Sequence, residues 1–296
     1  MSTQPLATQG APSAGLRQAV SGKNSIWRKS PALVAGGTMV GIIILIAIFA
    51  QQIVPYDPIA QDFNSILQPP SLTHLLGTDN YGRDMFSRIV ASTPLDLTVG
   101  VVSVFFPLVL GIIIGTISGY YGGIIDNFFM RLVDIVIAFP FMVLIIAIIA
   151  VLGPGLQNAV IAITIASWII YARLVRGEIL VAKNLEYVMA AKTLGYSDFR
   201  IIFRHILPNI ITAAIVFAAV DIVLDILVAS SLGFLGLGVQ PPTPEWGQLI
   251  SEGRGFMTTA WWITTFPGVA IVITGIAFGL LADGLADLLR PGGSKA

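Results

Sequence analysis

The sequence lacks cysteine and has only two histidines, His74 and His205. Without cysteine the chain forms neither disulfides nor thiolate metal sites, and two histidines disfavour a histidine-rich metal centre or a serine–histidine dyad. Charge is scarce as well: 11% of the residues are charged and 55% are hydrophobic, whereas soluble domains are about 25% charged. The composition therefore predicts an integral membrane protein, and no feature points to nucleic acid.

The sequence is rich in long apolar stretches. A membrane-spanning helix needs about 20 predominantly apolar residues, and six stretches meet that length: 32–54, 97–119, 127–152, 157–180, 210–232 and 264–285. The run 135–171 is too long for one span, and Gly153-Pro154-Gly155 interrupts it where a turn between antiparallel helices is expected. We therefore predict an all-α integral membrane fold with six transmembrane helices.

The cations are unevenly distributed between the loops. Six spans place both termini on one side of the membrane, and putting that side in the cytoplasm leaves 13 Lys and Arg residues inside. Only Arg83, Arg88 and Arg254 are then outside. This asymmetry predicts that both termini are cytoplasmic. Residues 1–30 are then a disordered tail, residues 288–296 a second tail, and the first span an uncleaved anchor.

The charged segment 186–209 separates the fourth and fifth spans, and the orientation places it in the cytoplasm. Asn184 is expected to cap a helix that begins at Leu185. Gly195 is expected to end that helix in the left-handed conformation.

A second short helix is expected after Gly195. Ser197 or Asp198 is expected to cap it, and Pro208 marks the start of the fifth span. Two short helices with a glycine turn between them suit docking of a cytosolic partner. The alternative is an amphipathic loop that lies on the bilayer with its cations facing anionic lipid, and spacing alone leaves both open.

Three stretches resemble a known family. Ala190-Ala191, Gly195 and Ile206-Leu207-Pro208 are similar to the EAA loop of permease subunits of bacterial ATP-binding-cassette (ABC) importers. The stretch 74–88, HLLGTDNYGRDMFSR, resembles the H-x-L-G-T-D-x-x-G-R-D-x-x-S-R motif of the dipeptide, oligopeptide and nickel branch, and the stretch 232–247 is also similar to that branch. Together with 119–123 and Arg131-x-x-Asp134, the resemblance covers residues 31–290.

The resemblance implies roles for two sets of residues. In that family the short helix of the loop, here within 184–208, is a coupling helix that sits in a cleft of the ATPase subunit. The residues assigned to coupling are Glu186, Met189, Ala190, Ala191, Lys192, Gly195, Arg204, His205, Leu207 and Pro208. The residues of the external motif are Gly77, Thr78, Asp79, Gly82, Arg83, Asp84 and Arg88.

The chain departs from the family pattern at two places. Met189 stands where the loop usually has glutamate, so the salt bridge of that glutamate is not transferred. The loop is expected to dock by the close fit of Ala190, Ala191 and Gly195, with charge pairing from the neighbouring ionic residues. The second departure is Ala91-Ser-Thr-Pro94, where many relatives have a Gly-Ala-Arg segment.

The charges expected to assist docking are Glu186, Lys192 and Arg204. By resemblance, the fold is a type I importer permease: a first transmembrane helix and external segment in 31–93, and a five-helix core in 94–287. The chain would form half of a translocation pathway. The implied partners are a second homologous permease, two cytosolic ATPase subunits and an extracytoplasmic solute-binding protein, in a bacterial inner membrane.

Energy must come from another polypeptide. The chain has no G-x-x-x-x-G-K-[ST] sequence, which a phosphate-binding loop requires. We therefore expect ATP and Mg²⁺ on the partner subunits, with no cofactor, metal or catalytic residue on this chain. Peptide is the cargo expected by resemblance, while opines, nickel complexes, glutathione and oligosaccharides remain open.

Asp221 and Asp225 lie one turn apart in the fifth span. A carboxylate at the bilayer centre costs about 2.5 to 3.5 kcal/mol on insertion scales unless it faces protein or water. The two residues either line the translocation path and meet a cation of the cargo, or pair across the interface with the second permease. The i, i+4 spacing puts both on one face of the helix.

Other charges have simpler interpretations. Arg131 and Asp134 are expected to pair, as are Asp283 and Asp287 with Arg290. The charges of the external segments 55–93 and 233–263 suit contact with the binding protein. Trp261 and Trp262 suit an interfacial aromatic belt, and 233–238 suits a tight turn.

Two other classes of function compete with this hypothesis. An ion-gradient-driven secondary transporter predicts paired intramembrane charges in repeated halves, whereas the chain has no evident repeat and one such pair, Asp221 and Asp225. An intramembrane hydrolase is disfavoured because neither histidine lies within a predicted span.

Overall fold

The computed structural model describes residues 30–289. Its regular elements within that range are helices, and one isolated β-bridge joins Thr78 to Asp84. The helices are α1 (Pro31–Ile48), α2 (Ala50–Ile53), α3 (Met85–Tyr121), α4 (Gly123–Ile137), α5 (Phe141–Leu152), α6 (Leu156–Ala182), α7 (Glu186–Thr193), α8 (Asp198–Arg200), α9 (Leu207–Phe234), α10 (Trp246–Gly253) and α11 (Trp262–Leu289). A π-helical turn (Ile201–Ile206) joins α8 to α9, and a 3₁₀ turn (Arg254–Phe256) follows α10.

Five of these helical segments are long and apolar enough to cross a membrane: Pro31–Ile48, Met85–Tyr121, Leu156–Ala182, Asp198–Phe234 and Trp262–Leu289. The fold is all-helical, as predicted. The end of the bundle that carries residues 54–84 is termed the outer end, and the end that carries α7 the inner end.

The span predicted at 127–152 is not one straight helix. In its place α4 and α5 meet at 90° around Pro140, and they make a sixth span only if the bent pair is counted as one. Proline lacks an N–H group and disfavours helical geometry in the residue before it, so the helix stops before Pro140. At about 1.5 Å per residue, the 12 residues of α5 are too short to cross the bilayer alone.

Helices α3 and α6 pack with their backbones close together. Gly111, Gly115 and Gly119 repeat every four residues and therefore share one face of α3. A Cβ atom on Gly111 would lie 2.2 Å from the Cβ atom of Tyr171, and one on Gly115 would lie 2.6 Å from the carbonyl oxygen of Ala172. Small residues at such spacing allow close helix approach in membranes.

Helix α1 is peripheral, as the sequence predicts. It packs on α11 and on α3. A Cβ atom on Gly36 would lie 2.2 Å from the backbone nitrogen of Leu281, and one on Gly284 would lie 2.3 Å from the Cα atom of Leu33. Ser30 caps α1, with its side chain accepting from the backbone N–H of Leu33 at 3.3 Å. The tails predicted at 1–30 and 288–296 lie almost entirely outside the described residues.

The outer end is closed by α10 and the loop 54–84. Trp246 is buried, and its indole N–H donates to the carbonyl oxygen of Ile89 at 3.2 Å. Trp262 is buried too and donates to the carbonyl oxygen of Thr78 at 3.0 Å, so its predicted place in an interfacial belt is wrong. Trp261 is half-exposed, as a belt residue is.

The turn predicted at 233–238 is confirmed. Gly236 has a φ of 75°, and the backbone N–H of Leu237 donates to the carbonyl oxygen of Leu232 at 2.8 Å. This is the left-handed helix ending that glycine permits.

Substitution of Gly115 by Leu is expected to separate α3 from α6. Overpacking a close contact typically costs about 1 to 3 kcal/mol, so the Tm of the detergent-purified protein should fall. Gly177→Leu on α6 is the matched control, because a Cβ atom there meets nothing within 4 Å. Equal Tm values for the two variants would contradict this account of the interface.

Candidate functional site

The inner segment 186–209 begins with α7. Leu185 is its N-cap residue and makes no side-chain capping bond. The predicted cap, Asn184, is wrong: its side-chain amide donates to the carbonyl oxygen of Leu180 at 2.9 Å. Asn184 lies in the turn that follows α6. The last carbonyl groups of a helix lack partners within the helix, and they accept hydrogen bonds from donors such as this amide. Gly195 has a φ of 76°, which confirms its predicted left-handed conformation.

The second short helix is only partly as predicted. Ser197 caps α8, and its hydroxyl accepts from the backbone N–H of Arg200 at 3.4 Å. However, α8 continues through the π-helical turn into α9, so that 198–234 is one helical segment. Pro208 sits in the first turn of α9 without ending it. The segment therefore passes directly into the helix that carries Asp221 and Asp225.

Helix α7 has one face buried within the chain. Val188 and Ala191 pack with Ile201, Ile206 and Ile179. The prediction that Ala190, Ala191 and Gly195 form one docking surface is therefore wrong for Ala191. The helical period separates positions 190 and 191 by about 100° around the axis, which is enough to bury Ala191 while Ala190 stays exposed.

Several large apolar side chains of this segment are exposed beside its charged residues. Leu194 and Phe199 are about 70% exposed, at 71% and 70%, and Met189 is 50% exposed. Ala190 and Gly195 are also exposed. We call these five residues the inner apolar surface. Large exposed apolar groups of this kind mark interaction sites.

The ionic residues around this surface are held by aromatic rings. The ammonium group of Lys192 lies 5.3 Å from the ring centroid of Tyr120, and the guanidinium of Arg200 lies 5.2 Å from that of Tyr196. The ring of His205 stacks on Tyr196 at 5.7 Å between centroids. Glu186, Lys192 and Arg204 are predicted to pair with charges of a docking partner. None of them forms an ion pair with another residue within 30–289.

Sequence reasoning missed a second polar cluster at the inner end. The guanidinium of Arg176 donates two hydrogen bonds to Asp126, at 2.5 and 2.6 Å. Asp134 lies 3.8 Å from Arg173 on α6 and not in the predicted pair with Arg131. The predicted cluster of Asp283 and Asp287 includes Arg290, which lies outside the described residues.

Asp221 and Asp225 face a cavity of about 390 Å³ between α5, α6 and α9. Both residues are buried. The hydroxyl of Tyr171 donates to Asp221 at 2.6 Å, a partner that sequence reasoning missed. The Oδ2 atom of Asp225 has no hydrogen-bond partner among the described residues. Ser167 and Ile170 also line the cavity.

The outer motif folds into a buried ionic network. The carboxylate of Asp79 accepts from Nε of Arg83 at 2.6 Å and also from Arg88. Glu252 of α10 lies 2.7 Å from Nη2 of Arg83 and 3.2 Å from Nη2 of Arg88. These contacts join the loop 54–84, α3 and α10 through four charges that neutralise each other.

The rest of the motif supports this network. Asp84 caps α3 by accepting from the backbone N–H of Ser87 at 2.8 Å, and it lies 3.0 Å from Nδ1 of His74. Gly82 has a φ of 73°, and a Cβ atom there would lie 1.8 Å from the carbonyl oxygen of Asp62. Gly77 has a φ of 76° and approaches the indole of Trp262. Glycine is required at both turns.

The prediction that the outer charges contact a binding protein is therefore wrong for most of them. Asp79, Arg83, Asp84 and Arg88 are buried. Glu245 is also buried: it caps α10 by accepting from the backbone N–H of Gly247 and Gln248, both at 2.8 Å. Burial raises the pKa of the Glu245 carboxyl above its usual range.

The charges that remain exposed at the outer end include Asp57, Asp62 and Arg254. No group of three or more His, Cys, Asp or Glu side chains in residues 30–289 is arranged to hold a metal ion.

Two family models match the chain. One describes a binding-protein-dependent transport system inner membrane component and matches residues 111–294. The other describes the N-terminal transmembrane domain of oligopeptide transport permease C and matches residues 25–70. The chain belongs to the binding-protein-dependent transport permease family. The inner segment 186–209 and the buried aspartates of this permease lie within the first match, and helix α1 lies within the second.

Similar curated proteins place the permease in the dipeptide and oligopeptide branch. It is 43% identical to the glutathione transport system permease protein GsiD of Pectobacterium atrosepticum, over 90% of this chain and 89% of that protein. It is 44% identical to the dipeptide transport system permease protein DppC of Alkalihalophilus pseudofirmus, over 89% and 87%. It is 41% identical to the probable D,D-dipeptide transport system permease protein DdpC of Escherichia coli, over 92% of both chains.

The fold is also that of a solved importer. A chain of the MetNI methionine ABC transporter in an inward-facing conformation matches the permease with a TM-score of 0.58 and 19% identity. The match covers 70% of this chain and 98% of that chain. The permease is thus a multi-pass inner-membrane subunit of an ABC importer, a class that works with ATPase subunits and a binding protein. The alternative of an ion-gradient-driven transporter finds no support in these matches.

Replacement of Asp79 by Asn is expected to destabilise the outer end of the permease. The change removes one of the two carboxylates that neutralise Arg83 and Arg88, so one buried guanidinium charge loses its counter-charge. Breaking a buried ion pair in this way costs about 3 to 5 kcal/mol. The readout is the thermal unfolding of the purified permease, with proteolysis of 54–84 as a local probe. Asp57→Asn, at an exposed position, is the control, and equal stability of the two variants would contradict the network.

Proposed function

We propose that the permease forms half of the pathway of an ATP-driven importer for small peptides delivered by an external binding protein. The proposal extends to a second homologous permease, two cytosolic ATPase subunits and both termini in the cytoplasm. The relatives named above are glutathione and dipeptide permeases, which supports a small peptide as cargo. The distribution of 13 cations against three supports the orientation.

One observation carries the coupling role. Phe199 of the inner apolar surface lies at the start of the continuous helical segment 198–234, which also holds Asp221 and Asp225, while the other four members precede it on α7 and at the Gly195 turn. A helix moves as a unit, so a displacement at Phe199 reaches the buried carboxylates without an intervening loop. ATP-driven closure of the ATPase subunits against this surface would then reorient the pathway.

We place the chemistry of ATP on the partner subunits. The chain has no phosphate-binding loop, so ATP and Mg²⁺ are assigned to the ATPases and no cofactor to this permease. Transmission of motion requires no covalent step on the chain, and the permease is proposed to be non-enzymatic.

The buried carboxylates are proposed to meet the cargo. Tyr171 holds Asp221 in place, while Oδ2 of Asp225 has no partner among the described residues. A buried carboxylate without a partner is costly, and an ammonium group is the complementary donor. A peptide carries such a group at its amino terminus. Within residues 30–289 neither Asp221 nor Asp225 pairs with a cation of the chain itself.

Replacement of Gly195 by Val is expected to uncouple transport. A β-branched residue resists a φ of 76° at a cost of about 1 to 2 kcal/mol, so the orientation of α7 should change. Cargo uptake in proteoliposomes that contain the complete importer should fall about tenfold. Met189→Ala removes only one side chain of the inner apolar surface and should reduce uptake less than about twofold; the reverse ranking would refute the role given to Gly195.

The double variant Asp221→Asn with Asp225→Asn tests the pathway. Loss of both charges should reduce uptake at saturating cargo about tenfold or more while ATP hydrolysis continues, because a charge-assisted bond to the cargo is lost. Unchanged uptake would reject the path-lining role. Loss of copurification with the second permease would instead favour pairing across the interface.

A further inference from the structure

The inner end of α3 contacts three other elements through consecutive residues. The hydroxyl of Ser118 donates to Asp126 of α4 at 2.5 Å. The carbonyl oxygen of Gly119 accepts from Nζ of Lys183 at 2.8 Å. The hydroxyl of Tyr120 donates to Oδ1 of Asp198 at 2.6 Å. The last of these contacts reaches the segment that docks the ATPase under the proposed function.

Tyr120 contacts the residues on both sides of the Gly195 turn. Its ring lies 5.3 Å from the ammonium group of Lys192, before the turn, and its hydroxyl bonds Asp198, after it. Around Gly195 itself the space is open, since a Cβ atom there would meet nothing within 4 Å. Tyr120 therefore makes directional contacts on both sides of a turn whose glycine, Gly195, has no other described residue packed against it.

Apart from a long hydrogen bond from the side-chain amide of Asn209 to the hydroxyl of Tyr187 at 3.4 Å, the other contacts of α7 are mainly apolar. Val188 and Ala191 are held by apolar packing against Ile201 and Ile206, and such packing tolerates sliding and rotation. A hydroxyl bonded to a carboxylate fixes both distance and angle, and a charged acceptor makes the bond stronger than a neutral one. The Tyr120–Asp198 bond thus sets how the coupling segment sits on α3.

Helix α3 leads from this contact to the outer end. It is continuous from Met85 to Tyr121 and begins beside the Asp79 and Arg88 network. At about 1.5 Å per residue, the 37 residues of α3 extend through the full thickness of the bilayer. A force that enters through Tyr120 can reach the outer network along a single helix.

We infer that Tyr120 is a positioning residue for coupling: it ties the segment 186–209 to α3, so that ATPase motion drives α3 and its partner α6 together with α9. The inference rests on the proposed function. The chain itself joins the segment to α6 at one end and to α9 at the other. Without the Tyr120 tie, no hydrogen bond among the described residues would link the segment to α3, and α3 would receive the motion through apolar packing alone.

The test compares Tyr120→Phe with Tyr121→Phe in the complete importer reconstituted in proteoliposomes. Tyr121 is the matched control because it is adjacent and exposed, and its hydroxyl bonds no described residue. The readouts are ATP-dependent uptake of a dipeptide, ATP hydrolysis with and without binding protein, and copurification of the ATPase subunits.

Loss of the Tyr120 hydroxyl should reduce uptake about tenfold while copurification and basal hydrolysis stay unchanged, so that more ATP is consumed per dipeptide. Tyr121→Phe should match the wild type. Asp198→Asn should behave like Tyr120→Phe, and combining the two should add little further loss, because both remove one interaction.

Wild-type ratios of ATP to dipeptide in Tyr120→Phe would overturn the inference. Loss of ATPase copurification would overturn it as well, since Tyr120 would then act in docking and not in transmission. Failure of the wild-type importer to take up any dipeptide with ATP would count against the proposed function, and is thus distinguishable from failure of the Tyr120 inference.

Discussion

The close approach of α3 to α6 is the contact on which the other features depend. Glycines at 111, 115 and 119 bring the two backbones together. This places Arg176 of α6 within reach of α4, and Lys183, the residue after α6, within reach of the end of α3. It also aligns Tyr171 of α6 with Asp221 of α9. In lipid the hydrophobic effect does not drive helices together, so packing of this kind has to hold them.

Buried charge organises both ends of the bundle. At the outer end, the buried Asp79, Arg83 and Arg88 and the partly exposed Glu252 neutralise one another, and they join a loop, a long helix and α10. At the inner end the segment 186–209 is joined covalently to α6 and to α9, and by a hydrogen bond from Tyr120 to α3. The buried carboxylates of Asp221 and Asp225 lie between these two ends, on α9.

The departures from sequence-based expectation have a common origin in geometry. The stretch 127–152 is apolar enough to span a membrane, but hydropathy does not register the 90° bend at Pro140. Asn184 has a residue type suited to a helix start, yet it lies just after the preceding helix and its side chain bonds a carbonyl group at the end of that helix. Ala190 and Ala191 are alike in sequence, and the helical period exposes one and buries the other.

Local properties were readable from the sequence alone. Apolar length located five of the spans, the left-handed Gly195 followed from its place after a short helix, and motif spacing identified the permease family. Only the tertiary structure decided which charged side chains are buried in pairs and which are exposed to a partner. Arg83 and Glu252 are 169 positions apart, and Tyr120 and Asp198 are 78 apart. Such pairs depend on how helices pack against each other, and that packing is a non-local property which neither composition nor periodicity encodes.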